Sequence, residues 1–407
     1  MQVYIGIDWS ESKHDIVIMN KAGAAIARQT IPHSPEGFLK LEAMCQDLEV
    51  APTDCLFGLE TAHNMVIDFL WSRNYTNVYV IPPSVVKSTR GRYGQSRART
   101  DQSDALLLAD LLRTDRLRLQ PWHPDSLLTR QMRAKVSLIN YLTRDIVRLS
   151  NRLRAVLLRY YPSALHVFSS LRTQIALQFI CAYPTPEAAD ALSFAQFETF
   201  ARQHSYPQPK RLPKCFAHLE FPYPQALPET VLVYRDEAIQ LATLLLRTVQ
   251  AKNSALRELT VLFEQHPDHD IFASLPGAGK FLAPALLVKF GDDRQRFLSP
   301  AGVQALAGTC PVTDSSGKRR IVKFRHACDR EFRNIAQKWA ITSKPESLWA
   351  TLYWEQARPH CNSDSHAYRC LANRWLAIAW KLWQTGEEYD EAYHLKQRAL
   401  HSKPRKD

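Results

Sequence analysis

Four carboxylates placed at the ends of predicted secondary-structure elements restrict the fold of this chain more than any other feature. Two of them each close an apolar strand, and the other two begin a helix with one apolar side. Side chains that converge in this way form an oxygen-rich pocket suited to hard divalent cations. Without a cation they would repel one another and raise each other's pKa. In a basic chain such a group predicts phosphodiester chemistry. The four are Asp8, Glu60, Asp101 and Asp104.

Residues 1 to about 115 alternate predicted strands and helices. Hydrophobic periodicity and turn residues predict strands at 3–7, 14–19, 25–30, 55–59 and 78–81, and helices at 35–47, 62–72 and 101–114. Three antiparallel strands followed by alternating helix and strand is the order of a ribonuclease-H-like α/β fold. In that fold, acids on the first strand, the fourth strand and the last helix meet at one end of the sheet. Taken singly, Asp8 could cap a turn and Asp101 could cap a helix.

The chain carries 52 lysines and arginines against 40 acidic residues, which gives a formal charge of +12 and a pI near 9.3. This excess suits a polyanionic partner such as nucleic acid, although a solvated basic surface would give the same value. No apolar run reaches the length of a membrane span, and the chain begins directly with a strand. Neither a membrane helix nor a signal peptide is therefore expected.

Eight cysteines are scattered along the chain without a Cys-x-x-Cys pair, which indicates reduced thiols and a cytoplasmic location. Cys361, His366 and Cys370, with His360 beside them, resemble half of a zinc site. Because a second close pair of ligands is missing, the sequence alone does not predict bound zinc.

Pro82-Pro83 is expected to break the chain after the fifth strand, and a basic, glycine-bearing loop from Lys87 to Arg99 then leads directly into Asp101. Such a segment can follow a phosphate backbone, and Tyr93 within it can stack on a base. The alternative is a solvated, flexible loop. Its candidate nucleic-acid contacts are Lys87, Arg90, Arg92, Arg97 and Arg99.

The middle of the chain is predicted to be helical. Apolar residues recur every three or four positions from about 127 to 160 and again from about 229 to 264, with arginines on the other faces of the first segment. The two segments predict an antiparallel coiled-coil arm, which is either a dimer element or an internal hairpin. Residues 181–228 are rich in proline and aromatic residues and are expected to form short helices at most.

Two motifs near the C-terminus suit contact with phosphate. The first, Gly277, Gly279 and Lys280, resembles the turn of a helix-hairpin-helix, in which backbone amides hold a DNA phosphate, although a plain helix turn would look the same. In the second, Ser316 precedes a glycine and three cations, which suits a nucleophile facing a phosphate. Ser315 is adjacent, and a simple surface turn is the alternative. The three cations are Lys318, Arg319 and Arg320.

Together these motifs resemble the DEDD insertion-sequence transposases, the family that includes the Piv DNA invertase and the bridge-RNA-guided recombinases. The resemblance covers nearly the whole chain, through residues 5–8, 59–61 and 99–105 and then 275–279, 297–299, Gly308, Pro311 and Ser316-Gly317. It implies a RuvC-like nuclease domain, a coiled-coil dimer arm and a small helical domain with a nucleophilic serine. It also implies two half-sites joined across protomers of a tetramer, and a structured RNA that pairs with donor and target DNA.

The resulting expectation is a DNA recombinase that moves its own mobile element in the bacterial cytoplasm, associated with the nucleoid. Mg²⁺ or Mn²⁺ held by the four acids would position the scissile phosphate, and Ser316 would attack it. The expected regions are a RuvC-like domain at 1–118, a helical arm at 119–270, a mainly α transposase domain at 271–395 and a basic tail at 396–407. The alternatives are a structure-specific endonuclease that uses metal-activated water, and a relic that binds nucleic acid without chemistry.

One residue and two segments depart from the family pattern. Arg99 replaces the usual lysine before Thr-Asp and keeps the charge. The usual Lys-x-Gly-Asn stretch after the serine is replaced by residues 323–329, and 181–228 is longer than the usual connection.

Overall fold

The computed structural model describes residues 2–61, 65–93, 101–221, 223–316 and 319–401, with backbone alone for Ser84, Arg92, Tyr93, Asp101 and His401. The chain divides into two compact units, Met1–Asp125 and Ser126–Asp407. No helix that the structure describes is both long enough and apolar enough to cross a membrane.

The first unit is built on a five-stranded mixed sheet in the order β3-β2-β1-β4-β5. β1 pairs with β2, and β2 with β3, in antiparallel fashion. β1 pairs with β4, and β4 with β5, in parallel. This mixed α/β sheet agrees with the ribonuclease-H-like order predicted from the sequence. Its strands are β1 (Val3–Trp9), β2 (Lys13–Met19), β3 (Ala25–Pro32), β4 (Cys55–Leu59) and β5 (Val78–Val80), and its helices are α1 (Pro35–Gln46), α2 (Met65–Ser72), α3 (Pro83–Thr89) and α4 (Asp101–Asp115).

The two faces of the sheet are covered by different helices. On one face Ile5, Ile7 and Phe57 form a core with residues of α1 and α2. On the other face Tyr4 and Leu56 pack against α4. Alternate residues of each strand therefore belong to different cores, as the twofold repeat of a strand requires.

One prediction for this unit was wrong. The segment from Lys87 was expected to be a loop, but residues 83–89 form α3 and residues 90–93 a 3-10 turn. Pro83 sits in the first turn of α3, where its missing N–H costs no hydrogen bond. The Pro-Pro pair thus begins a helix here, although it was expected to break the chain. Residues 94–100 lie outside the described part, as does the predicted helix start at 62–64.

Two long antiparallel helices, α5 (Leu127–Tyr160) and α11 (Pro228–Glu264), form the middle of the second unit. Their direction follows from two ion pairs, Lys135 with Glu258 and Arg152 with Glu237. Five short helices of the described residues connect them and pack in an aromatic-rich core against their far ends. The last three lie within 181–228, where the sequence predicted short helices at most. These are α6 (Ala164–Val167), α7 (Gln174–Ala182), α8 (Pro186–Asp190), α9 (Phe194–Gln203) and α10 (Leu212–Ala217).

The near ends of α5 and α11 share one core with the C-terminal helices. Met132 of α5 and Leu259 of α11 lie in the same cluster as the buried Trp339, Trp375 and Trp383. The predicted boundary near residue 270 therefore falls inside a continuous core. The C-terminal helices are α12 (His269–Ala273), α13 (Gly279–Phe290), α14 (Pro300–Leu306), α15 (Arg330–Glu346), α16 (Leu348–Ala357), α17 (Asp364–Thr385) and α18 (Glu391–His401).

Two features of this region differ from the expectation. A β-hairpin, β6 (Val312–Ser316) and β7 (Arg319–Lys323), interrupts the predicted run of helices. Its side chains are nearly all exposed, so it lacks the apolar alternation by which a strand is recognised in a sequence. In addition, α18 continues to residue 401, into the segment predicted to be a tail.

Candidate active site

Asp8 lies near the end of β1, and Glu60 directly follows the neighbouring parallel strand β4. Ile7 of β1 pairs with Leu59 of β4, and Asp8 and Glu60 are the residues that directly follow this pair. Neighbouring strands lie about 4.8 Å apart, and residues paired in register project from the same face. Both side chains are half-buried. The sheet therefore brings two of the predicted metal ligands together.

Two glycines let α4 approach the face from which these carboxylates project. Gly6 and Gly58 are paired and lie two residues before Asp8 and Glu60, hence on the same face. A Cβ at Gly6 would lie 1.9 Å from the carbonyl oxygen of Ala105, and at Gly58 one would lie 3.2 Å from that of Leu108. No side chain fits between β1 and α4 at Gly6.

The direction of α4 brings the other two acids to the same end of the sheet. Gly6 meets Ala105, whereas Tyr4, two residues earlier, clusters with Ala109 and Leu112 farther along the helix. The helix therefore runs opposite to β1, and its beginning lies toward Asp8. The first turn of α4, which contains Asp101 and Asp104, therefore lies toward the end of the sheet where Asp8 and Glu60 stand.

Asp104 is buried and forms an ion pair with an arginine side chain. Its side chain is 5% exposed, and Nη2 of Arg90 donates a hydrogen bond to Oδ2 at 3.0 Å. Arg90 lies in the 3-10 turn that follows α3. A buried carboxylate is costly unless it is paired, so this contact offsets the burial of Asp104. Arg90 was predicted to contact nucleic acid, and the structure instead places its guanidinium on one of the four acids.

The oxygen donors at this edge fit a hard divalent cation in their chemistry. Among the described side chains, however, Asp8, Glu60 and Asp104 do not form a trio of ligand atoms within 4.8 Å of one another. The side chain of Asp101 lies outside the described part of the chain.

A fifth carboxylate, which sequence analysis missed, lies next to this group. Asp15 on β2 is paired with Asp8 on β1 and shares its face. It is buried, and the hydroxyl of Thr30 donates a hydrogen bond to it at 2.5 Å. The antiparallel pairing of the first two predicted strands could have placed it opposite Asp8. Its own sequence neighbourhood gives no such indication.

The predicted nucleophile Ser316 is exposed at the end of β6. In the hairpin Ser316 pairs with Arg319, and Ser315 pairs with Arg320. Paired residues share a face and successive residues alternate, so the two serines project from opposite faces of the hairpin, each with its own arginine. Residues 317 and 318, including the predicted contact Lys318, lie outside the described part.

The base of the hairpin is held by arginine side chains. The guanidinium groups of Arg333 and Arg369 lie over the ring of Phe324, at 4.5 and 4.9 Å from its centroid. Arg333 also donates a hydrogen bond to the carbonyl oxygen of Arg325 at 2.5 Å. Across the strands, Lys323 and Asp314 form an ion pair at 2.9 Å. These contacts fix an exposed, polar hairpin on α15 and α17.

The predicted phosphate-binding turn lies between α12 and α13, with φ of +69° at Gly277 and +54° at Gly279. A Cβ at Gly277 would lie 2.5 Å from the backbone of Thr342, whose hydroxyl donates to the carbonyl oxygen of Gly277 at 2.6 Å. Packing against α15 thus accounts for Gly277. Gly279 and Lys280 are exposed, and a Cβ at Gly279 would meet no atom within 4 Å.

The structure describes only some of the other residues that were predicted to contact nucleic acid. Lys87 is exposed on α3, and Arg319 and Arg320 are exposed on β7. The backbone of Arg92 lies in the 3-10 turn. Arg97 and Arg99 lie outside the described residues.

Comparisons with known proteins identify the family that this chain resembles. A family model of DEDD-type IS110 transposases matches residues 5–162, and a model described as transposase of the IS116/IS110/IS902 family matches residues 269–353. A Streptomyces coelicolor protein described as a mini-circle transposase for IS117 is 28% identical over 402 residues, 96% of each chain. Another S. coelicolor protein, from insertion element IS110, is 23% identical over 95% of each chain. A Sinorhizobium fredii protein described as a transposase is 26% identical over 49% of this chain and 56% of its own. The first family match contains all four acids, and the second contains Ser316.

Proposed function

This chain belongs to the IS110 family of DEDD-type transposases, and from that premise we propose that it cuts and rejoins DNA with two chemical groups. One is a divalent cation, Mg²⁺ or Mn²⁺, held by Asp8, Glu60, Asp101 and Asp104. The other is the hydroxyl of Ser316. The observation that carries the proposal is that β1, β4 and the start of α4 meet at one end of the sheet, because each of these elements carries or adjoins one or two of the acids.

The four acids serve as the ligands of this cation in the proposal. A bound cation would supply Lewis acidity at the scissile phosphate and neutralise its developing charge. Asp8 lies near the end of β1, Glu60 directly follows β4, and Arg90 pairs with Asp104, which supports a shared role for these three carboxylates. Arg90 is a positioning residue in this scheme, because it acts through Asp104.

Ser316 supplies the attacking oxygen. Its Oγ forms a bond to phosphorus while the bond from phosphorus to a sugar oxygen breaks, and that sugar oxygen leaves with a proton. The product is a phosphoserine ester, which keeps the energy of the broken bond for rejoining. Attack by a sugar hydroxyl of the second DNA end then releases the serine. Arg319, which faces the same side of the hairpin, is placed to stabilise the negative charge on the phosphate.

We further propose that an RNA from the element guides the choice of DNA, and that the protein works as a dimer that assembles into a tetramer. The net charge of +12 supports binding of nucleic acid. Exposed Leu138 and Tyr141 on α5, and Leu232 and Val233 on α11, support an interface along the long helices. Apolar side chains on a helix surface are stabilised when a second helix covers them.

Substitution of the acids tests the metal site. Asp8→Asn and Asp104→Asn should abolish strand exchange between element ends and target DNA in Mg²⁺, because each removes a ligand charge. Binding of nucleic acid, measured by a mobility shift, should remain. Asp115→Asn, at the other end of α4, is the matched control and should stay active. Strand exchange at the wild-type rate in either Asp8→Asn or Asp104→Asn would contradict the assignment.

A further inference from the structure

A second group of metal-ligating side chains lies in the C-terminal region, apart from the four acids. Cys361 follows the 3-10 turn after α16, and His366 and Cys370 lie one helical turn apart on α17. The ligand atoms of these three residues all lie within 4.8 Å of one another. Among the described residues, no other group of three His, Cys, Asp or Glu side chains has its ligand atoms this close together.

The distance between the two sulfurs matches that found around a shared metal ion. Sγ of Cys361 lies 3.9 Å from Sγ of Cys370. Two thiolates that each bind zinc at about 2.3 Å in a tetrahedral site have their sulfurs about 3.8 Å apart. The sulfurs are thus already at the ligand spacing, and a ring nitrogen of His366 lies within 4.8 Å of both, where the imidazole can supply a third ligand.

The backbone around the group is fixed by contacts that do not involve these side chains. Ser363 caps α17 by accepting a hydrogen bond from the backbone N–H of His366. Arg358 donates to the carbonyl oxygen of Cys361 at 3.1 Å and pairs with Asp364. Because residues four apart on a helix share a face, the cap also sets the direction of His366 and Cys370. The site is therefore largely preformed.

We propose that Cys361, His366 and Cys370 bind zinc, with water as the fourth ligand. Two thiolates and one imidazole are ligands that zinc prefers over magnesium or calcium. The sequence alone argued against this site because it lacks two close cysteine pairs. The fold compensates for the missing pair, because the turn before α17 returns Cys361 to the face that carries the other two ligands.

Such a zinc would stabilise the start of α17 and, through it, the β6–β7 hairpin. Arg369 lies between His366 and Cys370 in sequence, and its guanidinium packs on Phe324 directly after β7. Fixing this turn of α17 also fixes one of the two arginines that hold the base of the hairpin. No chemical step is assigned to this zinc, and the proposal does not depend on the chemistry assigned to Ser316.

Metal analysis of the full-length chain, purified without a histidine tag in reducing buffer, tests this proposal. After dialysis, mass spectrometry of the metals should find one zinc per chain. When cobalt(II) replaces zinc, the protein should show the intense visible bands of a tetrahedral site together with thiolate-to-cobalt charge-transfer bands. Removal of the metal should lower the thermal midpoint, because a ligand that binds only the folded chain stabilises it.

Matched variants identify the ligands. Cys370→Ser and His366→Ala should each lose the zinc and change the cobalt spectrum. Cys181→Ser removes a half-buried thiol from the other core, and His360→Ala removes the neighbouring imidazole, and both should keep one zinc. The wild-type cobalt spectrum keeps the test decisive even if a variant fails to fold. A wild-type chain without thiolate-to-cobalt bands, a disulfide between Cys361 and Cys370 in the reduced preparation, or zinc loss in His360→Ala would overturn the assignment.

Discussion

At the level of single residues, His14 makes the stability of the first unit depend on pH. Its side chain is fully buried, its Nε2 lies 2.9 Å from Nδ1 of His33, and its ring packs against Phe38. Burial and then the neighbouring His33 lower the pKa of His14 to about 4, and Asp15 opposes this only in part. The folded chain therefore prefers the neutral imidazole.

The sign of the pH dependence follows from this lowered pKa. The unfolded chain takes up a proton near pH 6.5, whereas the folded chain does so near 4. The contribution is fully present above pH 6.5 and is lost as the pH falls toward 4, by about 2 kcal/mol at most between pH 7.5 and 5. His14→Phe should flatten this slope, measured by hydrogen exchange of β1 and β2 corrected for its intrinsic pH dependence. An unchanged slope in the variant would contradict the account.

Residue-level sequence analysis proposed the four acids as a site but did not predict their neighbours. The acids were identifiable because each stands at the end of an apolar segment or at the start of one. Asp15 and the contact of Arg90 with Asp104 depend on strand pairing and on helix α3. Neither can be recognised from the local sequence, because the partners are 7 and 14 positions apart along the chain.

At the level of elements, the close packing of α4 on β1 decides whether the acids meet. Gly6→Ala would place a Cβ 1.9 Å from the carbonyl oxygen of Ala105 and 2.6 Å from the amide nitrogen of Ala109. Since both are backbone atoms of a helix, α4 must shift, and overpacking of this kind costs about 1–3 kcal/mol. The variant should unfold at a lower temperature and lose strand exchange. Its folding should be checked by circular dichroism.

The paired glycine on β4 is the matched control. A Cβ at Gly58 would lie 3.2 Å from the carbonyl oxygen of Leu108 and 3.3 Å from Cδ1 of Ile81, a crowding that small movements relieve. Gly58→Ala should therefore lose less stability and keep measurable activity. If Gly6→Ala matched the wild type in both stability and strand exchange, the close approach of α4 would not be what brings the acids together.

Sequence periodicity located the strongly amphipathic elements and missed the weak ones. The two long helices and the five strands of the sheet were predicted within a few residues, because apolar side chains mark their buried faces. Helix α3 was missed because its prolines were taken as a break, although Pro83 occupies the first turn. The β6–β7 hairpin was missed because it buries almost nothing.

At the scale of the whole molecule, the basic surface offers contacts to the nucleic-acid backbone. The exposed cations described above, Lys87, Lys280, Arg319 and Arg320, suit phosphates, and such contacts bind tightly at low salt without distinguishing sequences. Protein freed of RNA should therefore bind DNA with little sequence preference and recombine nothing. Transcript from the noncoding flank of the element should restore site-specific strand exchange, and altered guide loops should redirect it. Site-specific recombination by nuclease-treated protein would refute RNA guidance.

The hairpin allows a direct test of the central claim, which is that a serine rather than water attacks the DNA. Ser315 and Ser316 project from opposite faces of the hairpin, so exchanging either for alanine leaves the other in its place. The measurement is a denaturation-resistant protein–DNA adduct, trapped during strand exchange in Mg²⁺ and mapped by peptide mass spectrometry.

The account predicts that wild type and Ser315→Ala form the adduct on Ser316, and that Ser316→Ala forms none and exchanges no strands. An adduct that persists in Ser316→Ala and vanishes in Ser315→Ala would place the nucleophile on the other face. Wild-type strand cleavage by Ser316→Ala and Ser315→Ala alike, without any adduct, would show that water is the nucleophile and would contradict the account.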